Sequence, residues 1–408
     1  MEVKKNTDCL PMIRAIAVSF YVLSISGGPR WLELLGMACG ALVLLMTVGY
    51  ELRENDVLAQ GMSWLKQLFR KVYIPLIVWS TLLVSLHDVL LYFGAIPGTS
   101  HHVFHHLWKV MFSFTVTSDC WCYSYGVLVL LWVAPILFVL LYRCISLFTS
   151  QQTEGRRLLL VTLSLVAMAL LQIIFELRIT TLPLGGLQEA VALACVGSGA
   201  LLHKFRLDYK PHFLAVWGAM FVPIVSYILV LLCSSSASSE TMLLAFLPSS
   251  LCVCYGLLCW SETVSASKGW VVHAIQYIGR HTIGVIGFCG LSFQVAGIII
   301  VLTTDLSWSS LSAIPIIADE RVSQGWFLLY FIMGLSLPLS AIVLWRYLDK
   351  RFNLTWINCI LYLYKGTNYL VVGTYRLLVY LIKAIWTAMK DSVVAVKDIL
   401  KASNPNEE

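Results

Sequence analysis

Long apolar stretches and short polar joints alternate along most of the 408-residue chain. Ten stretches stand out: 12–28, 31–50, 72–93, 121–143, 158–176, 187–203, 212–233, 241–260, 282–302 and 325–345. At the rise of an α-helix, a stretch of that length crosses about 30 Å of hydrocarbon. In lipid the backbone must satisfy its own hydrogen bonds, so each stretch predicts a helix. The expected fold is an all-α integral membrane bundle of about ten transmembrane helices. A shorter segment, 103–114, predicts a helix lying along the membrane surface between the third and fourth spans.

After residue 350 the pattern changes. Arg376, Lys383, Lys390 and Lys397 recur every seven residues, and Leu377, Leu381, Ile385, Met389, Val393 and Leu400 occupy the other side. Seven residues drift only about 20° around a helix. The four cations therefore line one face of an amphipathic helix suited to an anionic membrane surface. A span through 369–389 would bury Arg376 and Lys383 in hydrocarbon, which is costly. The expected organisation is a membrane domain over 1–350 and a cytoplasmic amphipathic helical tail over 351–408.

Composition sharpens the class. Charged residues are 12% and hydrophobic ones 59%, where soluble domains carry about 25% charge. Lys4 and Lys5 precede the first apolar run, but no small-x-small cleavage site follows, so a signal peptide is not expected. Most of the twelve cysteines sit inside apolar runs, where cysteine acts as a small hydrophobe. No disulfide framework and no metal site is expected from them. Eighteen cations fall in joints on one side of the expected bundle. Only Arg30, Lys109, Arg178 and Arg321 fall on the other. The positive-inside rule then places both termini in the cytoplasm. The net charge of +6 is a topology signal, and nucleic-acid binding is not expected.

A few polar groups within or beside the spans carry candidate chemistry. Arg14 lies just inside the first span; it reads as an anion clamp or as a snorkelling arginine. Lys66 and Arg70 are four residues apart, hence on one helix face, with Lys71 beside them and Pro75 and Trp79 following. Cations at the start of a helix suit a phosphate-bearing ligand. His87-Asp88 is an ionisable pair within the third span, where such residues are functional candidates and an aspartate can orient an imidazole base. His101, His102, His105 and His106 read as one side of the surface helix. Trp121-Cys122-Tyr123-Ser124-Tyr125 reads as part of an interfacial aromatic belt.

Taken in order, these segments resemble the type 3 family of membrane acyltransferases, bacterial proteins that move acyl groups onto exported sugars and related acceptors. The resemblance covers residues 12 to about 350. It rests on Arg14-Ala15-Ile16-Ala17-Val18, on Val48-Gly49-Tyr50 closing the second span, and on the basic run from Lys66 to Lys71 leading to Pro75 and Trp79. It continues with Trp121-Cys122 and Pro135, the Val196-Gly197-Ser198-Gly199 span, and Gly279-Arg280-His281-Thr282-Ile283-Gly284. The resemblance implies a cytoplasmic acyl-CoA co-substrate held at Arg14, Lys66 and Arg70, with no bound cofactor. The acyl (acetyl) group would pass to a hydroxyl of an exported glycan or envelope component at a bacterial inner membrane. The chain departs from the family where the resemblance implies a catalytic base: Ile25, between Ser24 and Ser26, stands where the family has histidine. Ile286 and Cys289 stand where it has a tyrosine and a second histidine, and Val48 replaces a serine. His87 is the substitute base available within a span. Two other readings stay open. One is a catalytically silent relative that binds or moves a lipid-linked sugar or acyl donor. The other is an unrelated transporter, which would need intramembrane carboxylates; the nearest are Glu33 and Glu176.

Overall fold

The computed structural model describes residues 9–54, 62–92, 103–109, 124–149, 153–175, 177, 186–206, 246–265, 269–304, 306–311, 316–317 and 324–352. The expected span 212–233, the outer half of the surface helix and the tail after 352 lie outside the described residues. Among the described residues all regular structure is helical.

Among the described residues eleven α-helices follow one another: α1, Cys9–Ser24; α2, which joins Arg30–Gly36, a π-helical turn Met37–Ala41 and Leu42–Glu54; and α3, which joins Met62–Leu68, a π-helical turn Phe69–Tyr73 and Ile74–Tyr92. Then come α4, Val103–Trp108; α5, Tyr125–Phe148; α6, Glu154–Ile174; α7, Leu187–Arg206; and α8, Leu247–Ser265. The last three are α9, Trp270–Arg280; α10, Thr282–Thr304; and α11, Phe327–Phe352.

Six of these are long and apolar enough to cross a membrane: the bodies of α2, α3, α5, α6, α10 and α11. The other four expected spans do not meet that measure among the described residues, each for its own reason. At 16 residues α1 is shorter. Helices α7 and α8 are less apolar, and 212–233 is not described. In α7 the lower hydropathy goes with burial, because every residue from 190 to 202 is buried by neighbouring helices. A helix enclosed by protein needs small residues more than greasy ones.

Glycines set the closest approaches. A Cβ on Gly49 of α2 would overlap the Val196 carbonyl of α7, and one on Gly199 of α7 would overlap the Met46 carbonyl of α2. Gly36 and Gly40, spaced as in a GxxxG motif, meet the α1 backbone at Phe20 and Tyr21. Early residues of α2 meet late residues of α1 (Gly36 with Phe20 and Ser24) and late ones meet early ones (Glu51 with Arg14), so α1 and α2 form an antiparallel hairpin. At the start of α7 the Glu189 carboxylate accepts the Gly186 backbone N–H (2.9 Å), the reach-back half of a capping box.

Helix α9 lies between the expected spans 241–260 and 282–302, in a segment too short to span a membrane. It packs along α1 through Val272, Gln276 and Gly279, which are buried. The chain divides into two units, Met1–Ala341 and Ile342–Glu408.

Candidate functional site

The α1–α2 hairpin brings Arg14 to the last two turns of α2. Thr47 and Glu51 are four residues apart and share a face. The Arg14 Nε–H donates to Thr47 Oγ1 at 3.3 Å, and Nη2 donates to Glu51 Oε2 in an ion pair. The Thr47 hydroxyl is itself committed as a donor to Leu44 O at 2.7 Å, so it meets Arg14 with a lone pair. Both charged side chains are partly exposed, 24% for Arg14 and 31% for Glu51. Lys71 of α3 lies within electrostatic reach of the same carboxylate. One glutamate thus joins Arg14 of α1 to the cations of α3, and this end of the molecule is called the basic end below.

On α3 the local structure follows from Pro75. Proline has no N–H to give and its ring crowds the carbonyl four residues back, here Lys71. The π-helical turn directly before it absorbs the misfit, with Ile74 N–H bonding to Phe69 O. Such turns recur at functional sites. Lys66, Arg70 and Lys71 are all exposed. The opposite side of the turn is fixed to α5, where Tyr73 stacks on Trp132 (centroids 4.7 Å apart, 23° between planes) and Phe69 meets the same indole edge-on.

The three residues expected to hold the donor therefore stand in two states. Arg14 is engaged by Glu51 and Thr47, while Lys66 and Arg70 face outward. Glu51 escaped the sequence reading, which looked for carboxylates at Glu33 and Glu176. The signal was present: a carboxylate ending the second span lies opposite an arginine beginning the first whenever the two form a hairpin. Removing one partner strands the other charge. Arg14→Ala and Glu51→Ala should each lower stability by about 1–2 kcal/mol, between the ranges for exposed and buried pairs. The double variant should recover part of that loss. Thermal melts of the three proteins in detergent decide it; strictly additive losses would mean the pair contributes nothing.

His87 lies in the C-terminal half of α3 and is 1% exposed. Its Nδ1 is 3.6 Å from Asp88 Oδ1, an ion-pair approach longer than a hydrogen bond. About 24 Å of helix separates it from Lys71. At the end of α1, Ile25 packs against the core, and the hydroxyls beside it turn back on their own helix: Ser24 Oγ donates to Tyr21 O and Ser26 Oγ to Leu23 O, both at 2.7 Å. Neither serine is turned out as a replacement base. Ile286 and Cys289 are fully buried, and Cys289 packs with Phe293 and Val22 around Gly334.

The aromatic-belt expectation fails at Tyr125, which is fully buried. Its hydroxyl donates to Gly287 O at 3.1 Å, and the neighbouring Ser124 Oγ donates to Ile286 O at 2.7 Å. Tyr21 OH donates to Ser124 O at 3.0 Å, so these groups tie α1, α5 and α10 together inside the bundle. Residues 121–123 of that motif lie outside the described residues, as do His101 and His102, while His105 on α4 is exposed.

No known family, curated protein or solved structure compared with the chain matches it.

Proposed function

We propose that this integral membrane protein is an acyltransferase that takes an acyl (acetyl) group from cytoplasmic acyl-CoA and delivers it to a hydroxyl of an exported glycan or envelope component. The observation that carries this reading is the basic end: Lys66, Arg70 and Lys71 are exposed on a π-distorted helix, beside an Arg14 already fixed in orientation by Glu51 and Thr47. Phosphates of a nucleotide-bearing donor are the ligand chemistry that several cations at a helix entrance favour. The cation asymmetry of the joints directs that end to the cytoplasm. An extended pantetheine arm would then lead the acyl group into the bundle towards His87.

A second reading, a catalytically silent relative that holds an acyl donor or a lipid-linked sugar, draws on Ile25 and on the inward-bonded hydroxyls of Ser24 and Ser26. Binding separates donor recognition from turnover. Radiolabelled acetyl-CoA should bind the purified protein, and Arg70→Ala should weaken it tenfold or more, since a charge-assisted hydrogen bond is worth about 1.5–3 kcal/mol. Arg156→Ala, at an exposed position on the first turn of α6, should change nothing. Equal losses at both positions would mean a diffuse charge effect and no donor site. Mass spectrometry of envelope glycans from cells with and without the protein then reports whether an ester is made.

A further inference from the structure

Helix α9 has eleven residues, too few to cross a bilayer. Its side chains fall into three sectors when placed about 100° apart around the axis. The first holds Val272, Gln276 and Gly279, which are buried. This face rests on α1, and a Cβ at Gly279 would overlap the Pro11 carbonyl in its first turn. The second sector holds His273 and Arg280, polar and exposed. The third holds Trp270, Val271, Ala274 and Ile278; Trp270 is 80% exposed, Val271 48% and Ala274 exposed, while Ile278 near the end of the helix is partly buried against the core. An apolar sector with a tryptophan is left uncovered beside a polar one.

We infer that the Trp270–Val271–Ala274 sector is a contact with the bilayer. In this arrangement α9 lies in the interfacial plane at the basic end, its tryptophan at the boundary between headgroups and acyl chains. His273 and Arg280 face water and headgroups. Three features select lipid as the occupant. The helix is held on the first turn of α1, in a bundle with six described helices long and apolar enough to cross a membrane, so lipid is the apolar medium within reach of its uncovered face. The residue types match an interfacial helix: tryptophan and aliphatics on one side, cationic groups on the other. Arg280 complements anionic headgroups. The inference stands apart from the proposed acyl transfer, since it concerns a face with no part in holding a donor.

The test uses the full-length protein reconstituted in phosphatidylcholine vesicles. An environment-sensitive fluorescent amino acid replaces residue 270, 273 or 272, one at a time. At 270 the emission should be blue-shifted and quenched by lipids brominated near the top of the acyl chains, and untouched by aqueous iodide. At 273 iodide alone should quench, and at the buried position 272 neither should. Iodide quenching at 270 as strong as at 273 would make the sector a water-facing one and overturn the inference. Shielding of 270 from both quenchers would mean that protein, another segment or a second copy, covers it, and would overturn it equally. Position 271 repeats the measurement on the same sector if the probe at 270 prevents insertion.

Discussion

His87→Ala is expected to abolish detectable acyl transfer while leaving a folded, monodisperse protein. Removing a general base typically costs about 10²–10⁴ in rate. The histidine sits in the C-terminal half of α3, on the acceptor side of the proposed orientation, and is sealed in the bundle at 1% exposure. A base must come within hydrogen-bond reach of the hydroxyl it activates. Its burial therefore makes the prediction demanding, because the acceptor must enter the bundle to meet it. The control is His105→Ala on the short α4, an exposed position that should leave the rate unchanged. Full activity in His87→Ala would move the base elsewhere. Donor binding without turnover in the wild type, with any acceptor, would favour the silent-relative reading. Ile25→His approaches the question from the other side: a rise in activity would mean that the scaffold presents donor and acceptor and lacks only the imidazole.

The second large effect is structural. Gly49→Ala and Gly199→Ala should each lower the melting temperature sharply in detergent, and the pair together should prevent recovery of monodisperse protein. Overpacking a core costs about 1–3 kcal/mol when side chains can adjust. Here the added methyl meets main-chain atoms: the Val196 carbonyl from Gly49 and the Met46 carbonyl from Gly199. Backbone cannot rotate away, so α2 and α7 must separate, and α7 is the helix most enclosed by the others. Gly126→Ala on α5 is the counter-case. Nothing lies within 4 Å of a Cβ there, so alanine should be neutral or stabilise by about 0.5–1 kcal/mol through helix propensity. A wild-type melt for Gly49→Ala would mean that the two backbones leave room for a methyl at this crossing.

Much of the bundle was legible because the bilayer imposes length and hydropathy on each helix that touches it. The bodies of α2, α3, α5, α6, α10 and α11 all fall where apolar runs of about twenty residues predict them. Helix α7 is less apolar, and protein encloses every residue from 190 to 202. The eleven residues of α9 are too few for a spanning pattern, and its buried face is read as such only once α1 is beside it.

The candidate site divides along the same line. Sequence alone placed Arg14, Lys66 and Arg70 at the ends of neighbouring spans on one side, because charges flanking apolar runs obey a rule about membrane sidedness. It also put Pro75 where a helix must distort, since proline's missing N–H is a local fact. What it could not contain is the partner. Arg14 and Glu51 are 37 residues apart in the chain, and only the antiparallel packing of α1 on α2 turns two ordinary end charges into an ion pair. Tyr125 likewise looked like an interfacial aromatic and proved to be an interior hydrogen-bond donor to α10. Local patterns determine which segments enter the membrane and where each bends. Which polar groups meet is decided by helix contacts between distant segments, through backbone approaches that a glycine permits and a single methyl would forbid.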